Sequence, residues 1–97
     1  MAELLHAADF EAHLHTTFRI QKPIAVELEL AEVKDCSNPS MEQFSLIFTA
    51  PDSSIFAQGT RTLHHAALGD QDIFLVPLGP SSGRMRYQAV FSRFKDR

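Results

Sequence analysis

The sequence predicts a mainly β (α+β) fold, in which a short N-terminal helix packs on a curved, six-stranded antiparallel sheet that forms a small, partly open barrel or a sandwich. Three observations support this prediction. The last third of the chain, 58–94, contains three strand-like runs joined by two turn signals, which is the pattern of an antiparallel meander. The segment 24–30 alternates apolar and polar residues, as a strand with one buried face does. Twisted strands with one apolar face must curl or be covered, and the helix is available to cover them.

Length and composition predict one globular domain spanning 1–97. A chain of 97 residues is long enough to bury roughly two-thirds of the surface that its unfolded form exposes. Eight Phe and no Trp predict a core of rings that need no polar partner. Cys36 is the only cysteine, which excludes an internal disulfide framework and a cysteine-rich zinc site.

A helix is predicted over about 7–15. Ala7, Phe10 and Leu14 recur at spacings of three and four residues and form one narrow apolar stripe. Asp9 lies in the first turn, where a carboxylate suits the helix dipole. A helix this short is not stable alone in water, so we expect it to dock on the sheet.

A β meander is predicted from about 16 to 92. Its first three strands are expected at 17–20, 24–31 and 44–49. The alternation of the second strand slips because Val33 has the opposite parity, so this strand either ends near Ala31 or contains a β-bulge there. Turns are expected around Pro23 and over 36–40, where Pro, Ser and Asn are concentrated.

The second half of the meander is expected to contain strands at 60–64, 73–76 and 84–92. The run 73–76 is apolar on both faces, which favours a strand that is buried on both sides. Pro77 cannot donate to a ladder, so the regular strand either stops at Val76 or bulges at Pro77. A hairpin loop is predicted over 78–83, and a solvated tail over 93–97.

The charge distribution argues against nucleic acid as a partner. The net charge is −3, with an acidic first half and a mildly basic second half. A nucleic-acid-binding domain would show a basic patch with interleaved aromatic residues, which this sequence lacks. We expect the basic last strand instead to pair with the acidic strand that carries Glu27 and Glu29.

The N-terminus and the hydropathy pattern predict a cytoplasmic protein. Glu3 and Asp9 lie where a signal peptide would be uncharged, and no apolar run approaches the roughly 20 residues that a spanning helix needs. Membrane partners are therefore not expected. Export inside a larger assembly leaves no mark in a sequence and stays open.

Histidine is the only residue type that indicates a site. The candidate metal ligands are His13, His15, His64 and His65. If 64 and 65 both lie in a strand, their side chains point to opposite faces, and a metal would need further ligands such as Asp70 or Asp72. The alternative interpretation is that these are surface and turn histidines, or that one of them caps an element. No spacing matches a known ligand pattern, so no cofactor is predicted.

No catalytic constellation is visible in the sequence. Cys36 has no basic neighbour that would lower its pKa, and the serine pairs 53–54 and 81–82 lie in loops where turn geometry explains them. Glu27 and Glu29 share a strand face, which a solvated outer surface also explains. The sequence therefore predicts a protein that is not an enzyme.

Several blocks of the chain stand out together: AADF at 7–10, TLHHAALG at 62–69, IFLVPLGP at 73–80 and YQAVF at 87–91. In combination they resemble a small, uncharacterised bacterial β-rich domain family of unknown function. The chain departs from the family pattern at Ala66, where Pro is usual, and at His6, where Ser or Thr caps the helix. The resemblance implies a standalone β-rich fold and a link to bacterial tail-fibre-like or surface assemblies, and it implies no activity.

These observations lead to two hypotheses about function. The first is a non-enzymatic protein interaction or assembly module that binds another protein or itself, through an exposed strand edge. The second is a small-ligand or metal-binding domain with a pocket between the helix and the sheet, lined by the four histidines.

Overall fold

The protein is described by a computed structural model that covers residues 6–21, 25–51 and 57–94. Within these residues, one short helix precedes six strands, which confirms the predicted fold class. The elements are α1 (Ala7–Glu11), β1 (Thr17–Ile20), β2 (Val26–Asp35), β3 (Met41–Pro51), β4 (Gly59–His65), β5 (Gly69–Ser81) and β6 (Arg84–Phe94). No helix of the described residues has the length and apolarity that crossing a membrane requires.

The six strands form one closed antiparallel ring in the order β1-β2-β3-β6-β5-β4. Strands β1 to β3 form one meander and β4 to β6 form the other, as the sequence predicts for the last third of the chain. The long β3–β6 ladder joins the two meanders on one side. On the other side, among the described residues, β1 meets β4 through two residue pairs, Arg19 with His64 and Ile20 with Leu63. We call this short junction the seam.

The inside of the ring is filled by alternate apolar residues from every strand. Phe18, Leu28, Leu46, Leu63, Leu75 and Tyr87 are examples that are almost completely buried. The alternation of buried and exposed positions along each strand is the pattern expected for a sheet with one face on the core and one in water.

Two β-bulges keep the alternation in register where the sequence breaks it. In β2, Leu30 pairs with Phe48 but Glu32 pairs with Ile47, so Ala31 is the extra residue. The bulge therefore returns Val33 to the inner face, and the strand continues to Asp35. This confirms the second of the two alternatives that the sequence left open at Ala31.

The second bulge follows Pro77. Pro77 pairs with Tyr87 and Gly79 pairs with Arg86, which leaves Leu78 as the extra residue. Strand β5 then continues to Ser81 instead of ending at Val76. A bulge is one of the few places where a strand accommodates a residue without an N–H group.

Helix α1 is shorter than the sequence predicts, because the chain turns at 12–15 to join the sheet. The N–H group of His15, whose φ is 67°, donates to the carbonyl of Leu30 at 2.7 Å and so ties the turn to β2. Phe10 packs against Phe18, Phe44 and Phe91 with ring centroids 5.8–6.4 Å apart. The helix thus covers one end of the ring.

Four further local expectations were wrong. The hairpin loop predicted over 78–83 is reduced to the turn at 82–83, because β5 extends to Ser81. Phe74 exposes 51% of its surface, so the run 73–76 is buried on one face only. The basic strand β6 pairs with β3 and β5 rather than with the strand that carries Glu27, whose partner is Arg19 of β1. The predicted tail at 93–97 begins too early, because β6 extends to Phe94; residues 95–97 lie outside the described part.

Candidate functional site

The four candidate histidines do not converge on one point. His15 lies at the surface, where its Nδ1 donates to Glu29 Oε2 at 3.2 Å. His64 and His65 point to opposite faces of β4, as the sequence predicts, so that 64 is exposed and 65 is buried. Only His13 and His65 lie together, with ring centroids 4.6 Å apart. Among the described residues, no three metal-ligating side chains cluster.

Both ring nitrogens of His65 are occupied by structural hydrogen bonds. Its Nδ1 accepts from the N–H groups of Ala67 at 3.0 Å and Leu68 at 3.1 Å, which caps the β4–β5 turn. The proton is therefore on Nε2, which donates to Thr16 Oγ1 at 2.9 Å. Thr16 in turn donates to the carbonyl of His13. Burial, and then the neighbouring His13 and His64, lower the pKa of His65. This histidine links the helix end to the sheet in its neutral form.

A second polar cluster joins the start of α1 to strands β3 and β6. The carboxylate of Glu42 accepts from His6 Nδ1 at 2.8 Å and from Arg93 Nε at 2.8 Å. Burial raises the pKa of Glu42, but the hydrogen bonds and charges of His6 and Arg93 outweigh that effect and leave the pKa below its ordinary value. Sequence reasoning missed this cluster because its members are far apart in the chain and share no motif.

The outer side of the seam forms an open polar groove of about 350 Å³. It is lined by Arg19, Gln21, Thr60, Arg61, Thr62, His64 and Asp70. His64 Nδ1 donates to Asp70 Oδ1 at 2.6 Å, and Arg19 pairs with Glu27 at 2.9 Å. We call this the seam groove. Between the helix and the sheet lies the ring of Phe10, which is 1% exposed.

The outer surface of β5 and β6 carries a group of exposed apolar residues. Phe74 exposes 51%, Leu78 39% and Val90 67% of their surfaces, and Val76 between them is half-buried. We call these four residues the outer patch. The corresponding outward positions on β1 and β4 are Thr17, Arg19, Thr60, Thr62 and His64.

Strands β5 and β6 separate within the outer patch. Their ladder runs from Ser81 and Arg84 to Val76 and Gln88, the last pair. Beyond that pair, β5 is hydrogen-bonded to β4 and β6 to β3, in the part of the chain that the structure describes. Continuing the same register places Phe74 across from Val90, so the two most exposed apolar residues lie on either side of the point where the ladder ends.

The two ends of the outer patch carry opposite charges. Asp70 and Asp72 lie at the beginning of β5, where Asp72 accepts from Thr62 at 2.6 Å. Arg84 and Arg86 lie at the beginning of β6, which is the opposite end because the strands are antiparallel. We call these the acidic end and the basic end of the patch.

One of the four residues of the outer patch, Val90, has a signal in the sequence. Val90 alternates with Met85, Tyr87 and Ala89 and so belongs to the polar face with Arg86. A single apolar residue on a polar face is a signal, although a weak one. Phe74 gave no such signal because it lies in a run that is apolar throughout.

Comparison with known proteins identifies one family. A family model described as a domain of unknown function, DUF6916, matches residues 5–91. Searches of curated proteins and of solved structures found no significant match to the chain.

Proposed function

The chain belongs to the DUF6916 family of domains of unknown function, and on that premise we propose that it is a non-enzymatic protein interaction or assembly module that binds its partner through the outer patch. The observation that carries the proposal is the exposure of Phe74, Leu78 and Val90 on the outer surface of the neighbouring strands β5 and β6. Singly exposed apolar residues are ordinary on protein surfaces, whereas contiguous ones mark interaction sites.

The closed ring does not require this patch. The core is complete inside the strands, where Ile73, Leu75 and Ala89 are buried. Polar residues at 74 and 90 would satisfy the fold equally well and would lower the risk of aggregation. Apolar side chains at these positions therefore favour a role in binding.

Burial of the patch would supply useful binding energy. Removing a Val or Phe side chain from water contributes roughly 1.5–3 kcal/mol. Two such residues at the centre of an interface act as anchors, provided that the surrounding polar residues exclude water. Loss of either anchor is then expected to weaken binding by about tenfold or more.

The non-enzymatic character of the proposal is supported by the histidines. His65 is committed to capping a turn, and His15 and His64 form exposed hydrogen bonds with Glu29 and Asp70. For the process, we extend the proposal to bacterial tail-fibre-like or surface assemblies, which rests on the sequence resemblance alone.

A capture experiment tests the proposal. Tagged wild-type protein, Phe74→Glu and Val90→Glu would be incubated with lysate of the source cells, and bound proteins quantified by mass spectrometry. Ala25→Glu is the matched control, since it adds the same charge at an exposed position outside the patch. We expect one protein to be captured near equimolar amounts by the wild type and by Ala25→Glu but not by the two patch variants. Identical capture by all four proteins would contradict the proposal.

A second candidate function is the binding of a small polar ligand or a metal, and the seam groove is the observation that favours it. The groove has a volume of about 350 Å³, and its lining includes the His64–Asp70 pair, two threonine hydroxyls and Arg19. Ligand or metal binding there would raise the melting temperature of the wild type but not that of His64→Ala. His15→Ala, which removes a similar exposed ion pair elsewhere, is the control. If no compound of a metal and metabolite panel gives a shift that depends on His64, this candidate fails.

A further inference from the structure

We propose that the partner of the outer patch is a second copy of this chain, bound face to face about a two-fold axis that is perpendicular to the strands. The inference rests on the proposed function and names its partner. Two copies related in this way place β5 and β6 of one over β5 and β6 of the other with the strands reversed. Such an interface is isologous, so every contact occurs twice.

The apolar residues provide the contact but do not select the partner. Phe74 and Val90 would bury their surface against any apolar face. A second copy can bind only if the patch is complementary to itself, because in a two-fold interface the same surface contacts its own equivalent. The charges at the two ends of the patch provide this complementarity.

The charge pattern selects the direction of the axis. The acidic end carries Asp70 and Asp72, and the basic end carries Arg84 and Arg86. A two-fold axis perpendicular to the strands reverses the second copy and places its basic end over the acidic end of the first. An axis parallel to the strands would place each end over its own equivalent, and like charges in contact are unfavourable.

The centre of charge coincides with the centre of the apolar patch. The midpoint between Phe74 and Val76 on β5 is about four residues along the strand from the acidic pair. Extending the β5–β6 register, it is also about four residues from the basic pair on β6. Four residues of a strand span roughly 13 Å. The axis that matches the charges therefore passes through the outer patch. Asp and Arg then lie on neighbouring rather than superposed strands, an offset of roughly 5 Å that an arginine side chain spans.

The acids are already oriented towards the outer surface. His64 holds Asp70 at 2.6 Å and Thr62 holds Asp72 at 2.6 Å, each across the β4–β5 ladder. At the basic end, Arg84 Nε donates to Thr49 Oγ1 at 3.1 Å. Side chains held in this way lose less freedom when a second copy binds.

Sedimentation equilibrium of the purified protein tests the proposal. At low ionic strength, where surface charges are least screened, we expect a dimer for the wild type and for Ala25→Glu. Val90→Glu and Phe74→Glu are expected to raise the dimer dissociation constant about tenfold or more. A wild type that stays monomeric at high concentration, or patch variants that dimerise as well as the wild type, would overturn the proposal.

Charge reversal tests the direction of the axis. Asp72→Arg and Arg86→Asp are each expected to weaken self-association about tenfold, because like charges then meet at both ends. An equimolar mixture of the two variants is expected to associate again, which also shows that both are folded. The double variant D72R/R86D is expected to dimerise like the wild type. Double-variant association no stronger than that of the single variants would rule out the reversed arrangement.

Cross-linking provides an independent readout. With Cys36→Ser as the background, Val90→Cys lies near the proposed axis and is expected to be joined to its counterpart by a short thiol-reactive cross-linker, which spans the roughly 10 Å between packed sheets, whereas Ala25→Cys is not. Equal cross-linking of both would contradict the arrangement.

The two proposals fail separately. If the purified protein is monomeric but the capture experiment yields a different protein that depends on the patch, the proposed function stands and this inference fails. If the protein neither self-associates nor captures a patch-dependent protein, both fail.

Discussion

His64 and His65 show how strongly the environment decides the role of a residue. They are neighbours on one strand, yet His64 forms an exposed pair with Asp70 while His65 is 5% exposed and caps a turn. The difference follows from strand geometry, since consecutive side chains point to opposite faces. The neutral form of His65 is required, because a protonated Nδ1 would face two backbone N–H donors.

The lowered pKa of His65 predicts a pH dependence of stability. Because the folded-state pKa lies below the ordinary value of 6.5, the unfolded chain takes up the proton first as the pH falls. The contribution of His65 is thus complete above about pH 6.5 and is lost as the pH falls from there through the lower folded-state pKa. Chemical unfolding between about pH 5 and pH 8 should show this loss of free energy of unfolding.

The matched variants are His65→Asn and His64→Asn. Asparagine at 65 retains an acceptor for the turn but does not titrate, so this step in the pH profile should disappear. We also expect His65→Asn to lower the free energy of unfolding by about 1–3 kcal/mol, because the bond to Thr16 is lost. His64→Asn should preserve the step. A step that persists in His65→Asn would show that another group causes it.

At the scale of elements, short pieces of structure depend on packing rather than on their own propensity. Helix α1 spans only Ala7–Glu11 and has no stability alone. It is held by Phe10 at its centre and by the Glu42 cluster at its start, where His6 N also donates to Asp9 Oδ2 at 2.8 Å. The apolar spacing predicted a helix here, but the bond from His15 to Leu30 ends it one turn early.

Removal of the Phe10 ring should be the most destructive change in the helix. Phe10 is 1% exposed and contacts three other rings, so Phe10→Ala is expected to lower the free energy of unfolding by about 3–5 kcal/mol. Leu14 is 37% exposed, so Leu14→Ala should lower the free energy of unfolding by less than about 1 kcal/mol. Urea denaturation measures both. Similar losses for the two variants would mean that the helix does not close the ring as described.

The bulge in β5 predicts a specific sensitivity at Gly79. Its φ is +103°, a conformation that side chains other than glycine rarely adopt, although an added Cβ would meet no atom within 4 Å. Gly79→Ala is therefore expected to cost about 1 kcal/mol or more through backbone strain alone. Ser81→Ala, at an exposed position of the same strand, is the control for the change in melting temperature. An unchanged stability of Gly79→Ala would argue against the bulge.

At the scale of the whole molecule, the ring is unevenly closed. The β3–β6 ladder is continuous from Met41 and Phe94 to Pro51 and Arg84, whereas the seam has two residue pairs in the part of the chain that the structure describes. Local openings follow the weakest pairing, because the fewest hydrogen bonds must break there. We therefore expect the ring to open first at the seam.

Hydrogen exchange measures this order directly. Backbone amides of β1, at Thr17–Ile20, are expected to exchange faster than the paired amides at the centres of β3 and β6. The difference should disappear only under conditions of global unfolding. Protection of β1 equal to that of β3 would show that the ring opens as one unit.

The sequence by itself determined the elements whose signal is local. Alternation placed the inner residues of β2, β3 and β6, and the change of parity at Val33 marked the bulge near Ala31. Interactions between segments that are far apart in the chain leave no local signal and could not be predicted from the sequence. The Glu42 cluster, the cap made by His65 and the pairing of β6 with β3 all depend on which strands become neighbours.

The tertiary structure alone decided strand order, ring closure and the position of the outer patch. An apolar run such as 73–76 has the same sequence pattern whether one or both faces of the strand are buried. The arrangement of the neighbouring strands is what leaves Phe74 exposed. The physical reason is that alternation records whether a side chain points towards a core, which is a property of one strand. Which strands share that core, and what the outer face meets, are set by pairings between residues far apart in the chain.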